Sequence, residues 1–145
     1  MRYMLIKANQ ASVLLSEEIN YLDNYIDLEK MRLNEGATIS FLKKGDFKDK
    51  IIAPMLLLPF VENAFKHGAE KQLNAIFVDI NLSLQGNTLY FQVENNKQLG
   101  EKHPLSIGAG LANVKQRFEL GYPHQHQIDF VETAEKFSVK LWINL

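Results

Sequence analysis

At 145 residues, 46% of them hydrophobic and 23% charged, the chain is long enough to bury the core of one domain and too apolar to remain disordered. Its formal net charge of −1 leaves no basic surplus for neutralising nucleic-acid phosphates, and the lack of cysteine excludes disulfides and thiolate-bound zinc. No apolar run approaches the roughly 20 residues that a membrane-spanning helix needs, and no signal-peptide pattern is visible.

Met1 to Asn9 reads as the tail of a helix that has no start signal of its own. Ser16 is suited to cap a second helix, with Glu17 and Glu18 favouring its dipole. Ile19, Leu22, Tyr25, Ile26 and Leu33 then keep a helical period to the stop signal Asn34-Glu-Gly36. Thr38 to Leu42 alternates as a strand, and Gly45 to Lys50 is a charged loop. The stretch from Pro54 to Gly68, Pro-Met-Leu-Leu-Leu-Pro-Phe-Val-Glu-Asn-Ala-Phe-Lys-His-Gly, predicts a buried helix ending in Glu62, Asn63, Lys66 and His67. Polar groups on a buried helix need partners. Asn63, Lys66 and His67 share one face at i, i+3 and i+4, a plausible seat for a metal-bound polyphosphate. On this stretch alone an ordinary helix C-terminus explains them as well, because Lys, His and a following Gly68 suit the dipole and the C-cap.

Ala75 to Leu84 predicts a strand, with Ile80, Leu82 and Leu84 inward. A hairpin turn follows at Gln85-Gly-Asn-Thr88, and Leu89 to Val93 pairs back antiparallel. Asn95 to Ser106 is polar and carries Gly100 and Pro104, the pattern of a mobile loop. Ile107-Gly-Ala-Gly-Leu111 opens another helix, in which Leu111, Val114, Phe118 and Leu120 are expected inward, to Gly121-Tyr-Pro123. Gln127 to Val131 and the alternating Phe137 to Ile143 close the chain as a hairpin that turns near Thr133 to Lys136. Three apolar helices among antiparallel hairpins imply an α+β fold: a two-layer α/β sandwich with a mixed, mostly antiparallel sheet and helices on one face. Asp79, Asn81, Ser83 and Lys140 then fall on the solvated face.

Gly108 and Gly110 at the mouth of a helix let the backbone approach a phosphate, while the free N–H groups and the dipole attract it. A polar loop ahead of such a pair is the hinge that a nucleotide lid requires. The stretch Leu-Leu-Pro-Phe-Val-Glu-Asn-Ala-Phe-Lys-His-Gly and the later Gly-Ala-Gly-Leu-Ala-Asn-Val-Lys-Gln-Arg117 resemble the asparagine and glycine boxes of sensor histidine kinases of the LytS/YehU type. Leu15 to Arg32 is similar to the segment joining that family's two domains, so the resemblance covers nearly the whole chain in order.

What the resemblance implies is the Bergerat fold of the GHKL ATPase superfamily. Residues 1–12 become the tail of a helical dimerisation domain and residues 13–145 an ATP-binding catalytic domain. Asn63 is implied as the ligand of the Mg²⁺ that bridges the ATP phosphates, with Lys66 and His67 offsetting their charge. Gly108 and Gly110 let the lid fold, and the backbone at Gly110-Leu111 meets the phosphates. Glu62 could polarise the attacking group or bind metal, and an i+4 salt bridge to Lys66 explains it equally well. Two departures stand out. Asn95 replaces the family's adenine-binding aspartate without the glycine that follows it, yet its amide oxygen can still accept from the adenine amino group. Pro59 occupies the position of the glutamate base used by the related ATPases, which disfavours water activation and is compatible with a kinase.

The histidines are His67, His103, His124 and His126, and none lies in the family's phosphoacceptor motif. The His124-x-His126 pair is read as solvated loop rather than as a metal site. The expected activity is therefore transfer of the γ-phosphoryl of Mg-ATP to a histidine on the upstream helical domain, with a response regulator downstream and no nucleic-acid partner. The full-length protein is then a membrane-anchored homodimer and this piece its cytoplasmic domain. A module of the same fold that binds nucleotide or a partner without phosphotransfer is the alternative, motivated by Val93-Glu-Asn-Asn-Lys97. An ATPase of the chaperone or topoisomerase kind is weakened by Pro59.

Overall fold

The computed structural model describes residues 11–33, 36–69, 75–97 and 109–145, with the side chains of 67–69 and of 109–110 left aside. The expected helix tail at Met1–Asn9, the stop at Asn34-Glu35, the loop around His103 and the hinge residue Gly108 lie outside the described residues. The elements run β1 (Val13–Leu14), α1 (Leu15–Arg32), β2 (Thr38–Lys44), β3 (Ile51–Ile52) and α2 (Leu58–Ala69). They continue as β4 (Phe77–Gln85), β5 (Thr88–Asn96), α3 (Ala109–Gly121), β6 (His126–Glu132) and β7 (Lys136–Asn144).

Five strands form one sheet in the order β2-β4-β5-β7-β6, while β1 and β3 pair apart as a short antiparallel ribbon. β2 lies parallel to β4 and the other neighbours in the large sheet are antiparallel, which is the mixed sheet expected. Alternation decides the two faces. Val78, Ile80, Leu82, Leu89, Phe91, Val93, Val139, Leu141 and Ile143 are buried together with the apolar stripes of the helices. Asp79, Asn81, Ser83 and Lys140 point the other way, where Ser40 donates to Asp79 and the Asn81 amide donates to it at 3.2 Å. α2 packs over β4 and β5 with α1 and α3 beside it.

Aromatic residues knit the layers. Phe60 of α2 meets Phe91 of β5 at 6.5 Å between ring centroids and Phe118 of α3 at 6.2 Å. Tyr25 of α1 meets Phe65 of α2 edge-on at 6.0 Å. Each fully buried ring contributes about 1.5–3 kcal/mol by burial alone.

Several elements depart from the sequence reading, each for a physical reason. α1 starts at Leu15 after Leu14, whose side chain makes no cap, so Ser16 lies inside the helix rather than capping it. The first N–H of α1 is met instead by the chain beside it, the Leu15 amide donating to the Lys50 carbonyl at 2.8 Å. The helix expected from Pro54 begins only at Leu58, because Met55 sits in the left-handed region at φ 60°. Pro59 then falls in the first turn, where a missing N–H costs nothing. β5 runs on to Asn96, so Asn95 is a buried strand residue and not the first residue of a loop. Leu120 is 76% exposed, since it stands opposite Leu111 around the helix while Val114 and Phe118 complete the buried stripe. His126 opens β6 with its ring half-buried, Nδ1 lying 2.7 Å from the Tyr122 carbonyl, so it is packed rather than solvated.

The link between β3 and α2 is held from both sides. The Met55 amide donates to Oε1 of Glu18 at 2.8 Å, and the Ala53 amide donates to the Tyr122 hydroxyl at 2.9 Å. Arg117 donates from Nη1 to the Met55 carbonyl at 3.1 Å and from Nη2 to the Pro54 carbonyl.

Gly45 shows where backbone freedom is required. Its φ is 120°, and an added Cβ would lie 2.6 Å from the Leu84 carbonyl oxygen. Gly45→Ala is expected to cost about 2–3 kcal/mol in urea unfolding, combining strain with a backbone clash. At Gly86, also left-handed at φ 61°, a Cβ would meet nothing within 4 Å. Gly86→Asn is therefore expected to stay within about 1 kcal/mol of the parent, because asparagine tolerates that region.

Candidate functional site

α2 presents the polar group. Phe60, Val61, Ala64 and Phe65 are buried on its inner side. That fixes the rotation of the helix and leaves Asn63 half-buried at the border, with Glu62 and Lys66 exposed. The Asn63 carboxamide makes no hydrogen bond among the described residues, so its oxygen and both N–H donors remain free at a rim beside a lysine. His67 lies on the same helix by backbone.

Glu62 faces α1. Although its side chain reaches solvent, partial burial shifts its carboxyl pKa upward. The Tyr21 hydroxyl is pushed up by burial and then by the charges of Glu62 and Glu18, and the Tyr25 hydroxyl by burial, Glu29 and Glu62. The Glu62 charge is thus felt at both α1 tyrosines. Among the described residues no ion pair joins Glu62 to Lys66, so the i+4 bridge considered from the sequence is not formed.

β5 contributes Asn95. Its neighbours in the sheet are Val78 and Phe137, and it is 1% exposed on the helix-covered face in line with Phe91 and Val93. Its Nδ2 donates to the Asn96 carbonyl at 2.9 Å, which orients the amide and leaves the oxygen as an acceptor. Asn96 fastens the same sheet end, accepting from the Phe77 amide at 2.9 Å and donating to the Ala75 carbonyl at 2.6 Å.

α3 supplies the third part. Gly110 lies in its first turn, and Leu111 is buried and anchors that turn to the core. A helix of 13 residues directs free N–H groups and a positive dipole end from this terminus. The fold thus brings α2, β5 and α3 together, although no hydrogen bond links Asn63, Lys66 and Asn95 to one another among the described residues.

Among the described residues no three His, Cys, Asp or Glu side chains gather as a cage for a metal ion. A lone carboxamide fits Mg²⁺ when the remaining ligands are phosphate oxygens and water, the coordination Mg²⁺ ordinarily takes with nucleotides. Among those residues, too, no helix is long and apolar enough to cross a membrane.

Sequence reasoning missed the residues that hold the link before α2. Glu18 was read only as a dipole-favouring acid, yet it lies three residues after Leu15 and four before Leu22, both fully buried. A carboxylate on the apolar stripe was the available signal.

A family model described as Histidine kinase matches residues 1–37. The sensor protein kinase HptS of Staphylococcus aureus is 29% identical over 96 residues, which are 66% of this chain and 18% of the relative. The chain therefore spans under a fifth of the length of that relative. A histidine kinase domain from the blue-light-activated kinase EL346 of Erythrobacter litoralis superposes with a TM-score of 0.63 at 15% identity, covering 99% of this chain and 69% of that one. The catalytic domain of histidine kinase ThkA, in a nucleotide-free form, superposes with a TM-score of 0.58 at 13% identity, covering 92% and 93%. ThkA in complex with the response regulator TrrA gives 0.55 at 17% identity, covering 92% and 41%. The chain has the fold of histidine kinase catalytic domains and is similar in sequence to a sensor kinase.

Proposed function

We propose that this chain is the ATP-binding catalytic part of a two-component sensor histidine kinase of the LytS/YehU type. Residues 13–145 form the catalytic domain, and residues 1–12 end a helical domain that carries the phosphoacceptor histidine. The observation that carries this reading is the Asn63 carboxamide on α2, which makes no hydrogen bond among the described residues, in a fold shared with histidine kinase catalytic domains.

Bound Mg-ATP supplies the γ-phosphoryl group, and its metal offsets the charge that develops on transfer. Asn63 would hold the metal through its amide oxygen. Lys66 and His67 add positive charge on the same helix. The N–H groups at Gly110-Leu111 would bind phosphate oxygens at the start of α3, with Gly108 assigned to the same phosphate-binding glycine pair. Asn95 accepts from the adenine amino group with the oxygen that its own Nδ2 contact leaves available. Glu62 is the carboxylate assigned to polarise the attacking imidazole or to bind metal. Pro59 has no proton to exchange, which favours a protein acceptor over water. A response regulator takes the phosphoryl group afterwards, and the whole protein acts as a membrane-anchored homodimer with this domain on the cytoplasmic side.

One observation favours a second reading, in which nucleotide is bound but not used. Asn95 lacks the charge that would strengthen its hydrogen bond to adenine. Calorimetric titration tests both readings at their common step. Mg-ATP binding that weakens about tenfold in Asn95→Ala is expected, the equivalent of one lost hydrogen bond in a buried site. Absence of binding up to about millimolar Mg-ATP, an affinity near −4 kcal/mol, defeats both.

A further inference from the structure

We propose that Glu18, Arg117 and Tyr122 are positioning residues that set the place of the Asn63 helix and so couple α1 and α3 to the nucleotide site. The claim that they act on that site rests on the functional reading above; the claim that they position the helix does not.

The chain between β3 and α2 is a short irregular link with two features that would not persist unaided. Met55 holds a left-handed φ of 60°, and Pro54 is buried outside any helix or strand. Four hydrogen bonds over-determine it, all from residues distant in sequence. Glu18 of α1 accepts from the Met55 amide, Tyr122 just beyond α3 accepts from the Ala53 amide, and Arg117 of α3 donates to both the Pro54 and Met55 carbonyls. One guanidinium serving two successive carbonyls is a fork that lysine cannot reproduce. Glu18 is fully buried, and its Oε1 accepts the Met55 amide away from bulk water. The three groups thus converge on residues 53–55 through these bonds.

α2 begins at Leu58, directly after this link, and carries Asn63 on its second turn. A shift of α1 moves Glu18, and a shift of α3 moves Arg117 and Tyr122. Either displacement bears on the link before it bears on the sheet. The same helix α3 begins at the glycine pair, and α1 lies within the part of the chain that matches the histidine kinase family model. The three groups therefore connect both ends of the domain to Asn63.

Hydrogen exchange on the 145-residue chain, combined with Mg-ATP titration, tests this. In Arg117→Met and Glu18→Gln, exchange at residues 53–63 is expected to accelerate at least tenfold while β5 and β7 amides keep their protection. Arg117→Lys is expected to behave like Arg117→Met, because restoring charge without the fork does not restore the link. Tyr122→Phe, the mildest change, should accelerate residues 53–57 alone. Mg-ATP affinity should fall by about tenfold in Arg117→Met with Asn63 itself untouched. Unchanged exchange at 53–63, uniform acceleration across the sheet, or full rescue by Arg117→Lys each overturns the positioning role. If the parent chain binds no nucleotide, the functional reading fails, and the exchange pattern still decides whether these residues position α2. If exchange changes as expected and affinity does not, the coupling to the site is refuted.

Discussion

Asn63→Ala is expected to lower phosphotransfer from Mg-ATP by about a hundredfold or more while leaving the fold as stable as before. Removing one preorganised group that acts on developing charge typically costs about 10²–10³ in rate. The stability side follows from the structure. The Asn63 side chain is half-buried and makes no hydrogen bond among the described residues, so truncation strands no partner. Alanine is also the better helix former, by up to roughly 0.7 kcal/mol. A polar residue whose removal is neutral or slightly stabilising, on an otherwise apolar helix, has a function other than folding. Thermal denaturation and a phosphotransfer assay on the same preparation check both halves; a drop in melting temperature that accounts for the lost activity would remove Asn63 from the site.

Phe118→Ala is expected to produce the largest loss of stability. Phe118 is fully buried, with ring centroids 6.2 Å from Phe60, 6.4 Å from Tyr122 and 5.2 Å from His126. It thus joins α3 to α2 and to the start of β6, and no single neighbour can collapse into the space it leaves. The expected cost is about 3–5 kcal/mol, a melting shift of roughly 10 °C in a domain of this size. Because Arg117 is its neighbour on α3, the link before α2 should loosen together with the core. Urea unfolding monitored at Trp142 measures the change. A cost under about 1 kcal/mol, within the range of ordinary surface substitutions, would show that the three contacts are not packed as described.

Much of this fold was legible because burial writes alternation into strands and a stripe into helices. Ile80, Leu82 and Leu84 mark one face of β4, and Leu111, Val114 and Phe118 mark one side of α3. The features that escaped are those that local pattern does not encode. β1 and β3 have two residues each, too few for periodicity, and exist only because Val13 meets Ile52 and Leu14 meets Ile51 across a long separation. The apolar run at Pro54 to Leu57 has helical composition, but Met55 takes a left-handed turn that distant side chains sustain. β5 looked finished at Val93 because Glu94, Asn95 and Asn96 are polar. Alternation nevertheless continues, and Asn95 is accommodated inside by its bond to the Asn96 carbonyl.

The candidate site was legible in a different way. Asn63, Lys66, His67, Gly108 and Gly110 came from motif resemblance, since periodicity alone could not separate a phosphate seat from a helix end. The structure adds that Asn63 makes no hydrogen bond among the described residues, that no ion pair joins Glu62 to Lys66 among them, and that Asn95 is buried with an oriented amide. Gly108 and the side chain of His67 lie outside the described residues.

The central claim is phosphoryl transfer from Mg-ATP to histidine, and one measurement addresses it directly. The chain is incubated with Mg-ATP labelled at the γ-phosphoryl group and with a separately produced helical domain that carries the acceptor histidine. The prediction is label on the partner that is lost in acid and stable in alkali, absent with Asn63→Ala and absent without Mg²⁺. Bound nucleotide with no label on the partner, or label that Asn63→Ala leaves unchanged, would contradict it.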